Sequence, residues 1–154
     1  MSDGVKAIPE GYEGATPYLI CKNAEAAIEF YKKAFNATEL MRYPGQDGKG
    51  IGHAELMIGD SHIMLADEHP DLKFFGPKTL GGSAIMLHLY VDDCDAWFHR
   101  AVEAGATAKR PLADQFYGDR GGSVVDPFGY EWWLSTHKED LTPEEMEERA
   151  KAHK

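Results

Sequence analysis

The chain is poor in cysteine, in basic charge and in long apolar runs, and each shortage removes a class of function. Its 154 residues hold two cysteines, Cys21 and Cys94, with no Cys-X-X-Cys spacing between them. The dithiol motif of redox and metal sites is therefore absent, and a reduced, cytoplasmic setting is the simple expectation. Lys and Arg number 16 against 26 Asp and Glu, a formal net charge of −10. Nucleic-acid binding needs clustered cations to displace counterions, so that partner is not expected. No apolar run approaches the length that spans a bilayer, so no membrane partner is expected either. The start, Met1-Ser-Asp-Gly-Val-Lys6, lacks a basic-then-apolar export signal.

What is present is the composition of one globular domain: 43% hydrophobic and 27% charged residues, in a chain long enough for a real core. The most legible stretch runs from Ser123 to His137. Asp126-Pro127-Phe128-Gly129 is a turn, because proline presets φ and glycine supplies φ > 0. The β-branched and aromatic runs on either side read as strands.

Taken from the N-terminus, residues 1–14 read as an extended arm that Tyr12 pins to the body. Thr16–Cys21 reads as a strand. Asn23 caps a helix over Ala24–Phe35, whose Ala27, Ile28, Tyr31, Ala34 and Phe35 share a face, and Asn36 ends it in the left-handed conformation. Strands follow at Thr38–Tyr43, His53–Ile58 and Ser61–Ala66, the last two a hairpin about Gly59-Asp60 that pairs Glu55 with Met64. One face of that hairpin is apolar. The other carries His53, Glu55, Met57, His62 and Met64, a polarity suited either to a ligand cavity or to solvent. His62 and His69 are expected to be exposed. Asp67–Gly82 is a long connection.

The pattern then restarts. Ala84–Val91 reads as a strand, with Met86, His88 and Tyr90 on one face. Asp93 caps a helix to Ala104 with a buried stripe of Trp97, Phe98, Ala101 and Val102, and Gly105 stops it. Asn23 matches Asp93, Ile28 matches Phe98 and Asn36-Ala-Thr38 matches Gly105-Ala-Thr107, so the chain repeats itself after about 70 residues. A strand near Ala108–Leu112, a loop Ala113–Asp119 and the final hairpin complete the second copy. The reading is a single α+β domain over 1–154: βαβββ modules at about 15–67 and 83–137, then a tail helix at about 142–151. Thr142-Pro-Glu-Glu145 supplies the tail helix's capping box.

A duplicated βαβββ unit ending in Asp-Pro-Phe-Gly resembles the vicinal oxygen chelate superfamily of glyoxalase I, bleomycin-resistance proteins and extradiol dioxygenases. Pro9-Glu-Gly-Tyr12, Thr16-Pro-Tyr-Leu19, Ala27-Ile-Glu-Phe-Tyr31, His53-Ala-Glu-Leu56, Ile58-Gly-Asp-Ser61, Phe116-Tyr-Gly-Asp-Arg120 and Thr136-His-Lys-Glu-Asp140 are similar to its PhnB-like branch. The resemblance implies a curved sheet from each module, helices on the convex side, a ligand cavity on the concave side and a homodimer. It also places the superfamily's metal ligands on the first and last strand of each module. Those positions fall here on Thr16, Met64, Met86 and Trp133, none of them His, Glu or Asp, so the usual metal site is not expected and no cofactor is assigned. A displaced metal site from His53, Glu55 and His88 is the alternative. Tyr130 stands where the branch usually has histidine.

His53 and Glu55, two residues apart on one strand, are the catalytic candidates, since a carboxylate can fix a histidine tautomer for base work. A structural polar pair is the alternative. Ligand-binding candidates are Tyr18, His88, Tyr90, Met64, Met86, Tyr117, Arg120, Glu131 and Trp133. Arg120 would clamp an anion or else pair with Asp119 or Asp126. Trp133 would stack on a planar ligand or fill space. Trp132, facing the other way, reads as core. Three functions remain open: a metal-independent small-molecule binding protein, an isomerase- or lyase-type enzyme using His53 and Glu55, and a non-catalytic interaction module.

Overall fold

In the computed structural model, which describes residues 4–153, two βαβββ units divide at Thr79/Leu80. In the first, β1 (Tyr18–Cys21), α1 (Ala24–Phe35), β2 (Thr38–Tyr43), β3 (His53–Ile58) and β4 (Ser61–Asp67) form a four-stranded sheet ordered β1-β4-β3-β2. β1 runs parallel to β4, and the other pairings are antiparallel. The caps behave as the sequence requires. Asn23 accepts a hydrogen bond from Ala26 N at 3.1 Å, and Asn36 sits at φ 55°.

Helix α1 packs on β1, β2 and β4. Its Ala27, Ile28, Tyr31, Ala34 and Phe35 meet the sheet face made by Leu19, Ala54, Leu56, Ile58, Ile63 and Leu65, all buried. Each large aliphatic side chain so buried contributes about 1.5–3 kcal/mol. The hairpin register matches the expectation, Ile58 opposite Ser61 and Glu55 opposite Met64, with Gly59 at φ 58° in the turn. The alternate residues Tyr18, Glu55 and Met64 therefore lie together on the face opposite the helix.

Strand β1 begins at Tyr18 rather than Thr16, and β4 runs one residue further, to Asp67. The Asp67 carboxylate explains that extension by accepting Ala24 N at 2.7 Å and Ile51 N at 2.6 Å. The connection after it holds a 3-10 turn (Pro70–Leu72) and a one-turn helix α2 (Pro77–Leu80).

In the second unit, β5 (Met86–Tyr90), α3 (Cys94–Ala104), β6 (Thr107–Asp114), β7 (Asp119–Val125) and β8 (Glu131–His137) give the order β5-β8-β7-β6, and α4 (Pro143–Ala152) follows. The Asp126–Gly129 turn forms around one carboxylate. Asp126, 2% exposed, accepts Phe128 N at 2.9 Å and Tyr130 N at 3.0 Å on one oxygen, and Trp132 Nε1 at 2.9 Å on the other. Trp132 is fully buried, as expected.

Three expectations fail here. Helix α3 buries Cys94, Phe98 and Ala101, a narrower stripe than expected. Val102 is 38% exposed, and Trp97 is half-buried with the Arg100 guanidinium 4.7 Å from its ring. The loop Ala113–Asp119 shrinks to a turn, because Asp114 closes β6 and Asp119 opens β7. Strand β7 begins at Asp119 rather than at Ser123 and so takes in Gly121-Gly122. A Cβ on Gly121 would lie 2.6 Å from Ser135 Oγ and one on Gly122 2.7 Å from Arg110 O, so only glycine lets the neighbouring strands close up.

Candidate functional site

The alternation of β3, the start of β1 and the N-terminal arm bring four polar side chains into one hydrogen-bonded chain. Glu55, 7% exposed, accepts from Tyr12 Oη and, at 2.8 Å, from His53 Nε2. The other ring nitrogen, Nδ1, lies 2.8 Å from Tyr18 Oη. Burial pushes the Glu55 carboxyl up, but the hydrogen bonds from His53 and Tyr12 and the nearby His53 and His62 rings outweigh it, so the net shift is downward. Glu55 is then an ionised, acceptor-only group. Tyr12 and His53 Nε2 therefore donate to Glu55, and in the neutral tautomer that keeps the ring proton on Nε2 the Nδ1 lone pair accepts from the Tyr18 hydroxyl.

Tyr18, 42% exposed, is the open end of this chain. Its phenol is held above the ordinary value by burial and then by the Glu55 charge. In that tautomer its proton points inward to His53 and its lone pairs face out. Beside it lies a cleft of about 490 Å³ lined by Tyr18, Ile20 and Phe74. The site is amphipathic: apolar walls and a hydroxyl backed by a His–Glu pair. A second cavity of about 460 Å³, between the Gly45–Gly52 loop and Ala66–Phe74, contains none of the four residues of the chain.

Tyr12 also covers His62, with ring centroids 4.0 Å apart. His62 and His69 are half-buried rather than exposed, since the arm shields the first and the Pro70–Leu72 turn adjoins the second. The arm does meet the body through Tyr12; residues 1–3 of it lie outside the described residues. The role of Tyr12 in the site was missed from sequence. Its signal was a tyrosine in an otherwise unpatterned arm, close behind Gly11.

The remaining candidates divide between the units. Met64 lies beside Tyr18 and Glu55 in the first. In the second, Met86, His88 and Tyr90 are exposed, and Glu131 and Trp133 pair with β5 on the same face. His88 Nε2 lies 3.0 Å from Ser135 Oγ, and its ring stacks on Tyr90 at 4.8 Å. Tyr90 donates to Asp119 at 2.6 Å. Glu131 is held by Lys109 at 2.7 Å and Ser123 at 2.8 Å. Tyr117 lies in the β6–β7 turn. Arg120 is not in a loop and does not pair with Asp119 or Asp126. It is a β7 residue that forks onto Asp95 of α3 at 2.8 and 3.1 Å and reaches Asp114 at 3.3 Å, so its donors are committed to holding the helix.

The positions where the resemblance puts metal ligands carry a hydroxyl, two thioethers and an indole. Among the described residues no group of three or more His, Cys, Asp or Glu side chains is placed to hold a metal ion. The residues do not fit the superfamily's divalent ion.

Comparison with known proteins gives the same fold. Residues 15–134 match the family model of the Glyoxalase/Bleomycin resistance protein/Dioxygenase superfamily. The Mycobacterium tuberculosis protein Rv0887c is 45% identical over 135 residues, 86% of this chain and 79% of that protein. The crystal structure of Arabidopsis thaliana At5g48480 superposes with a TM-score of 0.66 at 27% identity, covering 80% of this chain and all but 2% of that one. The PhnB protein of Bacillus cereus superposes with a TM-score of 0.60 at 22% identity over 80% of this chain and 99% of that one.

Proposed function

The chain belongs to the glyoxalase/bleomycin resistance protein/dioxygenase superfamily, and we propose that within it the protein binds a small amphipathic organic molecule without a metal. The observation that carries this reading is the Tyr18–His53–Glu55 chain opening beside the apolar cleft of Tyr18, Ile20 and Phe74. The ligand's apolar body lies in the cleft, and a polar group donates to the Tyr18 hydroxyl. Met64 offers a pliable surface next to it. An NMR fragment screen tests this: bound fragments should shift the Tyr18 and His53 ring signals. Fragments that bind only elsewhere would refute it.

The same chain favours a second reading, proton transfer. If a ligand acid loses its proton to Tyr18, the tyrosine proton moves to His53 Nδ1, and Glu55 stabilises the imidazolium. Tyr18 is then the group that meets substrate, with His53 and Glu55 behind it. A turnover that Tyr18→Phe abolishes, with ligand affinity kept, would establish this reading. Turnover untouched by Tyr18→Phe would sink it.

A cytoplasmic homodimer completes the proposal. Met86 and Tyr90 are each more than half exposed on one face of β5, with Ile85, also more than half exposed, just before the strand, and a second copy would cover this surface. Among the described residues no helix is long and apolar enough to cross a membrane. Light scattering after size exclusion reads the mass, and a monomer would refute the dimer.

A further inference from the structure

The N-terminal strap puts a phenol on the deepest polar group of the site. Pro9–Tyr12 makes a turn, Tyr12 N to Pro9 O at 3.1 Å. Tyr12 then drops its hydroxyl onto Glu55 and its ring over His62. It comes from no sheet or helix, and the strap around it is exposed. Its seat is also imperfect, since His62 Nδ1 is left buried with no hydrogen-bond partner. The strap comes so close to His62 that a Cβ on Gly11, at φ 89°, would lie 2.6 Å from Nε2.

We propose that Tyr12 is a built-in stand-in for the ligand: the natural ligand carries an aromatic hydroxyl that takes Tyr12's place on Glu55, with its ring on His62, and the strap must lift to admit it. The inference rests on the reading of this face as a ligand site. Glu55 accepts hydrogen bonds and, being ionised, offers none, so the group that replaces Tyr12 must be a donor. The ring surface of His62 selects a flat aromatic body over an aliphatic alcohol. The remainder of the ligand extends toward His53 and Tyr18.

A strap that competes with ligand lowers the apparent affinity by the open fraction, so one open about a tenth of the time masks about tenfold in affinity. The probe is p-cresol, the tyrosine side chain itself, and the control is 4-methylanisole, which lacks the donor. Each is titrated by NMR on the His62 ring signals into the wild-type protein, Tyr12→Ala and Gly11→Ala. Gly11→Ala keeps Tyr12 but lifts the strap, and both substitutions lie outside the sheets. Both variants should bind p-cresol about tenfold more tightly than wild type, with the gain lost for 4-methylanisole and in Tyr12→Ala/Glu55→Leu. Equal p-cresol affinity in all three proteins would overturn the strap and leave the ligand site standing. So would an equal gain for the ether. Absence of p-cresol binding in Tyr12→Ala would overturn the ligand class, while a co-purified ligand of another class on this face would still uphold the binding reading.

Discussion

Replacing Glu55 by Gln keeps its shape and removes its charge, and the hydrogen-bonded chain dictates the result. Glu55 is 7% exposed and accepts from Tyr12 and His53. A hydrogen bond to a buried charge is worth about 1.5–3 kcal/mol and a neutral one about 1 kcal/mol. Gln can still accept from Tyr12 through its oxygen. Its amide N–H₂ then faces His53 Nε2, which must turn from donor to acceptor. Neutral His53 moves its proton to Nδ1 and donates to Tyr18. The net cost, reduced by no longer burying a charge, is about 1–3 kcal/mol, or about 2–12 °C in Tm for a chain of this size.

The pH dependence has a definite sign. The Glu55 carboxyl titrates below its ordinary value of 4.5 in the folded chain, so its contribution is present above that value and lost as pH falls through the folded one. The stability gap between wild type and Glu55→Gln is therefore full at pH 7 and closes in acid, where a protonated Glu55 resembles Gln. Thermal unfolding across this range reads the gap, and ¹⁵N shifts of His53 read the tautomer. A gap that stays constant down to pH 3, or an unchanged tautomer, would refute the reasoning.

Two further outcomes follow from the second unit. Asp126→Asn keeps an oxygen for Phe128 N and Tyr130 N but sets an amide N–H₂ against Trp132 Nε1. It should cost about 2–3 kcal/mol in urea unfolding and Asp126→Ala more, and equality with wild type would discount the carboxylate. His137 is raised above 6.5 by hydrogen bonds to Asp119 and then Asp140. Its stabilisation is whole below 6.5 and lost as pH rises through the folded value, so His137→Gln should flatten stability on the alkaline side of 6.5, and an unaltered profile would contradict this.

The fold was legible wherever local chemistry and burial agree. Asn23, Asn36 and Asp93 mark their helix ends in the sequence and in space, and the alternation of Ala54, Leu56 and Ile58 fixes which face His53 and Glu55 share. Strand limits were misread where a long-range contact decides them. Gly121-Gly122 is accommodated in the strand because neighbouring strands come too close for a Cβ, and β4 reaches Asp67 because its carboxylate accepts from the start of α1 and from the loop before β3. Arg120 was misassigned for a related reason: Asp95 lies on another element, and spacing along the chain favoured Asp119. Tyr12 was read as pinning the arm, but its partner escaped because an arm without periodicity announces none. Its contact with Glu55 spans 43 residues and leaves no local pattern.

The most direct test of the central claim is native mass spectrometry of untagged protein, with elemental analysis of the same sample and of His53→Ala. The account predicts an organic adduct of defined mass on a metal-free chain, diminished or lost in the variant. A divalent ion at one per chain, or an adduct that His53→Ala retains in full, would contradict it.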